Sequence, residues 1–188
     1  MADETDLLND ALIQAGAATI SGISEGTVNA NHCKRLYPAL RDAEIASHKW
    51  NFSLKRVSIA ADVATPAFEY TYQHSLPADY LRVWEFNGLD STDVYVVENH
   101  KILSSAAPPA LVVYGAQITN AGLFAPLFYQ ALTQLLGSKL SLAIPHDEKR
   151  AMTLWNLGRA TMDDALAADG QEGSIQTYSS TALTTDVR

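Results

Sequence analysis

The sequence has a single cysteine, Cys33, and no apolar run long enough to cross a bilayer. One cysteine excludes an internal disulfide and cannot by itself suggest a thiolate metal cluster, so we expect synthesis in a reducing cytoplasm. The longest apolar runs, at 110–114 and 123–127, fall far short of the roughly 20 residues that span a membrane. Because the N-terminus is acidic where a secretory signal would be basic, we expect neither a membrane segment nor secretion.

Positive charge is also scarce, since 13 Lys and Arg stand against 21 Asp and Glu, for a net charge of −8. This balance disfavours general attraction to DNA phosphates or anionic lipids, which depends on clustered basic groups. Residues 29–60 are the exception, with six basic and two acidic side chains. That stretch is either a solvated helix face or a surface that meets an acidic neighbour.

Motifs for catalysis and metal binding are weak. Residues 22–26 match the G-x-S-x-G pattern of a nucleophilic serine, but no strand is predicted before Ser24, so the segment is interpreted as a loop. Cys33 is interpreted as a buried core residue. No two histidines have the spacing of a metal pair; they are His32, His48, His74, His100 and His146. We therefore expect no catalytic residue, no metal and no cofactor, and a protein that is not an enzyme.

The apolar periodicity changes twice along the chain. A helical period, with fitting ends, is found over residues 3–15, 29–49, 126–144 and 147–168. Short segments rich in aromatic and β-branched residues lie between the second and third helices, at 52–59, 68–74, 80–86, 95–98, 101–103 and 110–114. This order predicts an α+β fold: a bundle of about four helices with one inserted antiparallel β layer, within one domain of residues 1–170.

The remaining residues, 171–188, are rich in Ser, Thr, Gln and Gly, and Gly170 is expected to interrupt the last helix. The few apolar side chains are Ile175, Tyr178 and Leu183. Because so few apolar groups cannot offset the entropy of ordering the backbone, the segment is predicted to be a flexible C-terminal tail. We expect these three residues to anchor the tail on a partner.

One ordered set of residues resembles a known family. It begins with Trp50-Asn51-Phe52 and Arg56, continues with Tyr70 and Tyr72, and ends with Leu76-Pro77-x-Asp79-x-Leu81-Arg82-Val83. Together with later pieces in similar order, this set resembles the tail tubular protein A family, the head-to-tail adaptors of short-tailed phages. The likeness covers roughly residues 29 to 165, and the Leu-Pro-x-Asp-x-Leu-Arg-Val piece is its most specific part.

The resemblance implies a structural role in the virion, for a protein made in the host cytoplasm. It implies a dodecameric ring of copies between the portal protein and the tail nozzle, a partner similar to tail tubular protein B. The ring would surround the DNA during ejection, with the helical bundle as its wall and the β region facing the tail side. The C-terminal segment would reach towards the portal and neighbouring subunits.

The residues of the resemblance also have expected structural roles. Trp50 and Phe52 are expected to anchor the junction between bundle and sheet, because large aromatic side chains dominate core burial. Arg56 and Arg82 are expected to pair with carboxylates such as Glu69 or Asp79.

Two other functions remain open. The first is a tail-associated lytic hydrolase, for which two carboxylates would have to flank a cleft; the candidates are Glu25, Glu69, Glu85 and Glu98. The second is a connector of a long-tailed phage, a class built on a smaller helical fold, against which the inserted β region argues.

Overall fold

The structure, a computed structural model, describes residues 3–88 and 91–172 of the chain. The helices are α1 (Glu4–Ala15), α2 (Val28–Ser47), α3 (Pro126–Ala143) and α4 (Glu148–Gln171). The strands are β1 (Leu54–Ile59), β2 (Tyr72–Ser75), β3 (Tyr80–Phe86), β4 (Tyr95–Glu98), β5 (Lys101–Ser104) and β6 (Ala110–Ala116). The predicted α+β class is therefore confirmed, with the β region inserted between α2 and α3.

Local sequence signals explain where the helices begin and end. Asp3 caps α1 through a reciprocal capping box with Asp6, which satisfies two backbone N–H groups that the first turn leaves free. Gly16 ends α1 at a φ of 77°, in the left-handed region that glycine enters without steric penalty. Pro126 opens α3, where its missing N–H is not needed, and Asp147 caps α4 by accepting from the Arg150 N–H.

Helix α3 is the centre of the bundle, because α1, α2 and α4 all pack against it. Most of its apolar face is buried, and Leu132, Leu135 and Leu136 are fully buried. Glycine allows the closest approach: a Cβ atom at Gly158 of α4 would lie 2.9 Å from the side chain of Leu135. The bundle therefore depends on a missing side chain as well as on apolar burial. No helix in the described ranges combines the length and apolarity that a membrane crossing requires.

The β region forms two sheets, where the sequence predicts one inserted layer. The first sheet has the order β1-β6-β3 and the second the order β2-β5-β4, and all pairs are antiparallel. Aromatic contacts link them, since the rings of Phe86 in β3 and Tyr95 in β4 lie 4.9 Å apart. Ile102 of β5 is fully buried in the same apolar core as the helices. Two sheets bury more of these apolar side chains than one exposed layer could.

The loop before β2 and the β4–β5 turn differ in how well the sequence predicts them. The predicted strand over 68–74 is wrong in its first half, because β2 begins at Tyr72 and Glu69 has a φ of 66°, which no strand residue adopts. The segments predicted as strands at 95–98 and 101–103 form β4 and β5, and a tight hairpin joins them. Asn99 and His100 both have positive φ, as a two-residue type I′ turn requires.

The end of α4 is also different from the prediction. The helix was expected to stop near residue 168 and to be interrupted by Gly170, but it continues through Gly170 to Gln171. The reason lies one residue earlier, because the side chain of Asp169 is buried and hydrogen-bonded to the chain segment that follows α2. Tertiary contact thus overrides the weak helix propensity of glycine.

The junction between bundle and sheets is an aromatic cluster. Trp50 is fully buried, stacks on Phe52 at 5.8 Å and contacts the edge of Phe128 of α3 at 4.9 Å. Its indole N–H donates to the Glu44 carbonyl oxygen at 3.0 Å, so the one polar atom of the ring is satisfied. Phe124 packs on Phe128 at 5.2 Å. The last turn of α2, the start of the first sheet and α3 are therefore joined at one point.

Asp169 joins α4 to the same place. Its carboxylate accepts from the Asn51 backbone N–H at 3.0 Å, and the Asn51 side-chain amide donates to the Asp169 carbonyl oxygen at 2.8 Å. His48 Nε2 lies 3.6 Å from the same carboxylate. Because Asp169 is only 6% exposed, these bonds form where water cannot replace them.

We predict that Asp169→Ala destabilises the protein by about 1–3 kcal/mol, because it leaves the Asn51 N–H without its acceptor. Urea unfolding followed by tryptophan fluorescence measures the change in the free energy of unfolding. The matched control is Asp164→Ala, which removes an exposed carboxylate from the same helix and should shift the midpoint little. Equal midpoints for the two variants would contradict the role given to Asp169.

Candidate functional site

The residues of the resemblance fall at two positions in the fold. Trp50, Asn51 and Phe52 form the junction just described. Leu76 is buried, and the segment after it makes a turn closed by a hydrogen bond from the Tyr80 N–H to the Pro77 carbonyl oxygen at 3.1 Å. The structure therefore places this set at connections between elements.

Asp79 holds that turn against the first sheet. Its carboxylate accepts from Lys55 Nζ at 2.6 Å and from the Tyr114 hydroxyl at 3.1 Å, and its carbonyl oxygen accepts from the Gln117 N–H. The hydrogen bond from the Lys55 ammonium holds the pKa of the Asp79 carboxyl below its ordinary value. The turn into β3 is thus fixed to β1 and β6 by one side chain.

The predicted ion pairs of Arg56 and Arg82 are wrong. Over residues 3–88 and 91–172, neither arginine has a carboxylate within ion-pair distance. The Arg82 guanidinium lies 4.3 Å from the Trp84 ring centroid and donates to the Ala46 carbonyl oxygen, while Arg56 is exposed on β1. The partner of Asp79 is Lys55, because the pairing of β1 with β6 brings Lys55 beside Tyr114.

Tyr70 and Tyr72 belong to the second sheet and its loop. Tyr72 pairs with Ser104 at the start of β2, and Tyr70 lines a pocket on the outside of that sheet. Leu81 is half-buried in β3 and packs against the common core. The three tail residues, Ile175, Tyr178 and Leu183, lie outside the described residues.

The G-x-S-x-G segment adopts turns, and no strand precedes it among residues 3–21. Ser24 lies in a turn, and Glu25 accepts hydrogen bonds from the Ser21 and Thr27 hydroxyls, both at 2.6 Å. These bonds lower the pKa of the Glu25 carboxyl. The strand-to-helix turn that exposes a nucleophilic serine is not formed here. In the described part of the chain, no three His, Cys, Asp or Glu side chains are grouped so that they could hold a metal ion.

The four glutamates considered for hydrolysis divide into three places. Glu25 stays in the loop before α2, and Glu85 of β3 forms an ion pair with Lys49. Glu69 and Glu98 line the same pocket outside the second sheet, and both are exposed. The structure therefore brings together one pair of the four.

An exposed apolar patch lies on α3 and α4. The helical patch consists of Leu142, Met152 and Trp155, which are 49%, 69% and 41% exposed. A groove of about 450 Å³ runs between them, with Lys139 and Glu148 at its edges. Patches of this kind on an otherwise polar surface mark sites of protein contact.

The helical period of residues 147–168 does not by itself separate the exposed Met152 and Trp155 from the side chains that contact α3. At 100° per residue, Met152 lies about 120° around the helix from Gly158, the residue closest to α3. The small residues Ala151, Gly158 and Ala165 form the true contact stripe. These three small residues are seven positions apart, and this spacing is the feature of the sequence that indicates the contact stripe.

No protein-family model matches this chain, and no curated protein matches it either.

Cys33 is fully buried in α2, and burial raises the pKa of its thiol to about 11. We predict that a disulfide reagent at pH 8 modifies Cys33 only after unfolding, because the neutral, enclosed thiol is neither nucleophilic nor accessible. Absorbance of the released thiolate, measured with and without urea, provides the comparison. Rapid modification of the folded protein would contradict the buried position.

Proposed function

We propose that this chain is a structural head-to-tail adaptor of a short-tailed phage virion, of the tail tubular protein A kind. Copies form a dodecameric ring between the portal protein and the tail nozzle, and the ring surrounds the DNA during ejection. The chain acts by contact and geometry, without a cofactor and without catalysis. In the infected cell it is made in the cytoplasm and then incorporated into the virion.

The observation that carries the proposal is the position of the resembling residues at the joints of the fold. Trp50 and Asn51 tie α2, α3 and α4 to the first sheet, and Asp79 fixes the turn into β3. A ring subunit must keep a fixed angle between the part that contacts its neighbours and the part that contacts its tail-side partner. Residues that fix such joints suit a connector better than they suit a catalyst.

The helical patch supports contact between copies. Phe128, Leu135 and Leu142 are seven residues apart on one stripe of α3, and the first two are fully buried while Leu142 is half exposed. The apolar stripe of α3 thus extends past the part that other elements of the same chain bury. A neighbouring subunit is the occupant we propose for this uncovered end.

The net charge of −8 fits a DNA conduit. Acidic surface repels phosphate at short range and so reduces adhesion of a passing duplex. The channel would therefore surround the genome without binding it.

The alternatives receive less support. A glycoside hydrolase needs one carboxyl kept protonated by a desolvating site, but Glu69 and Glu98 are both exposed to solvent. A connector of a long-tailed phage would have a smaller helical fold, whereas the described residues between α2 and α3, 48–88 and 91–125, form six strands in two sheets.

We predict that the free protein is monomeric or weakly associated and that it forms a ring when mixed with its portal protein. Three apolar side chains provide only a weak contact in solution, and a template raises the effective concentration of neighbouring copies. Sedimentation velocity measures the free state, and electron microscopy detects the ring. A stable dimer that forms no ring on portal addition would refute the adaptor function.

Two variants locate the contact within this experiment. Met152→Asp places a charge in the helical patch and should prevent the ring, whereas Thr153→Asp, also exposed on α4, should not. If both variants form the ring as the unmodified protein does, the helical patch is not the contact between copies.

We also predict that removal of residues 173–188 weakens attachment to the portal while thermal unfolding of the free protein changes little. The cut follows Glu172 because Asp169 belongs to the core. Ile175, Tyr178 and Leu183 are lost with the segment, so any partner pocket that they fill becomes empty. Calorimetry and portal co-sedimentation measure the two effects; a large loss of stability, or unchanged attachment, would contradict the tail's anchoring role.

A further inference from the structure

The pocket outside the second sheet is built by strand register and by the loop before β2. Residues directly opposite in an antiparallel pair share one face, so the pairing of Gln73 with Leu103 and of Glu98 with Lys101 places all four on the same face. Their neighbours Ile102 and Ser104 are buried on the other face. The loop segment 66–70 forms the wall of the pocket, whose volume is about 340 Å³.

Aromatic surface dominates that wall. Phe68 is 76% exposed, which is high for a phenylalanine in an ordered loop, and Tyr70 lines the pocket beside it. A tight turn joins them, in which the Tyr70 N–H donates to the Phe68 carbonyl oxygen at 2.8 Å across Glu69. Glu69 has a φ of 66°, a conformation that non-glycine residues seldom adopt. The loop thus presents two rings and one carboxylate to the same space.

The charges of the pocket do not balance. Lys101 Nζ is already paired with the Asp62 carboxylate at 2.7 Å, and this hydrogen bond lowers the pKa of Asp62. Glu69 and Glu98 have no basic partner among residues 3–88 and 91–172. The pocket therefore combines two uncompensated carboxylates with exposed aromatic rings and an apolar floor at Leu103.

We infer that this pocket binds the guanidinium group of an arginine presented by a partner protein. A guanidinium is planar and weakly hydrated, so it stacks on aromatic faces while its N–H groups donate to carboxylates. An ammonium is also attracted to an aromatic face, but it is strongly hydrated and cannot lie flat on a ring, and a neutral ligand leaves Glu69 and Glu98 unpaired. The inference concerns the chemistry of the pocket and does not depend on ring formation.

The test uses the full chain, labelled with ¹⁵N, and two small probes. N-acetyl-arginine amide is titrated in, and N-acetyl-citrulline amide serves as its uncharged isostere. We expect amide shifts confined to residues 67–70 and 98–101, which saturate with the arginine probe and weaken as salt is added. Citrulline should produce no saturable shift. An equal response to citrulline would assign the pocket to neutral ligands and overturn the inference.

Variants separate the pocket from general surface charge. Glu69→Gln with Glu98→Gln should weaken arginine binding by about two- to fivefold per lost carboxylate, and Phe68→Leu should weaken it by a similar factor. Both changes are on exposed side chains, so the spectra should otherwise retain their folded dispersion. Asp163→Asn, which removes an exposed carboxylate from α4, is the control and should bind as the unmodified protein does. Unchanged binding in the double glutamine variant would also overturn the inference.

Discussion

The contact between the end of α4 and the Trp50–Phe52 segment is the one on which the rest of the structure depends. Asp169 and Asn51 exchange backbone and side-chain hydrogen bonds, so the end of α4 and the start of the β region are fixed to each other. Trp50 fills the space beneath them and reaches α3 through Phe128. Without this contact, the two sheets would be attached to the bundle mainly by the chain segments that lead into and out of them and by a few contacts from α2.

Periodicity predicted the helices well because their apolar residues repeat over many turns and their caps are local signals. Asp3, Gly16 and Pro126 each act on the nearest turn, so their effect is visible in the sequence alone. The course of α4 past Gly170 was not predictable in this way. It depends on Asp169 contacting a segment more than a hundred positions away, and no local pattern records such a contact.

The candidate surfaces also include features that the sequence predicts and features that only tertiary contact determines. Buried positions such as Trp50 and Cys33 follow from side-chain chemistry, because large or apolar groups gain most from leaving water. The exposure of Met152 and Trp155 does not follow from side-chain chemistry, because both are apolar. It is decided by which face of α4 packs on α3. The pocket beside Glu69 and Glu98 depends on the pairing of three strands, which sequence spacing does not specify.

The position of Asp169 also has a mechanical consequence. Asp169 lies in the last turn of α4, which ends at Gln171, so a force applied to the end of this helix would reach the Asp169–Asn51 bonds before it reaches the bundle core. Those bonds run between the helix end and the first turn of the β region, and tension would load both structures at once. The last turn of α4 is therefore mechanically coupled to the start of the first sheet.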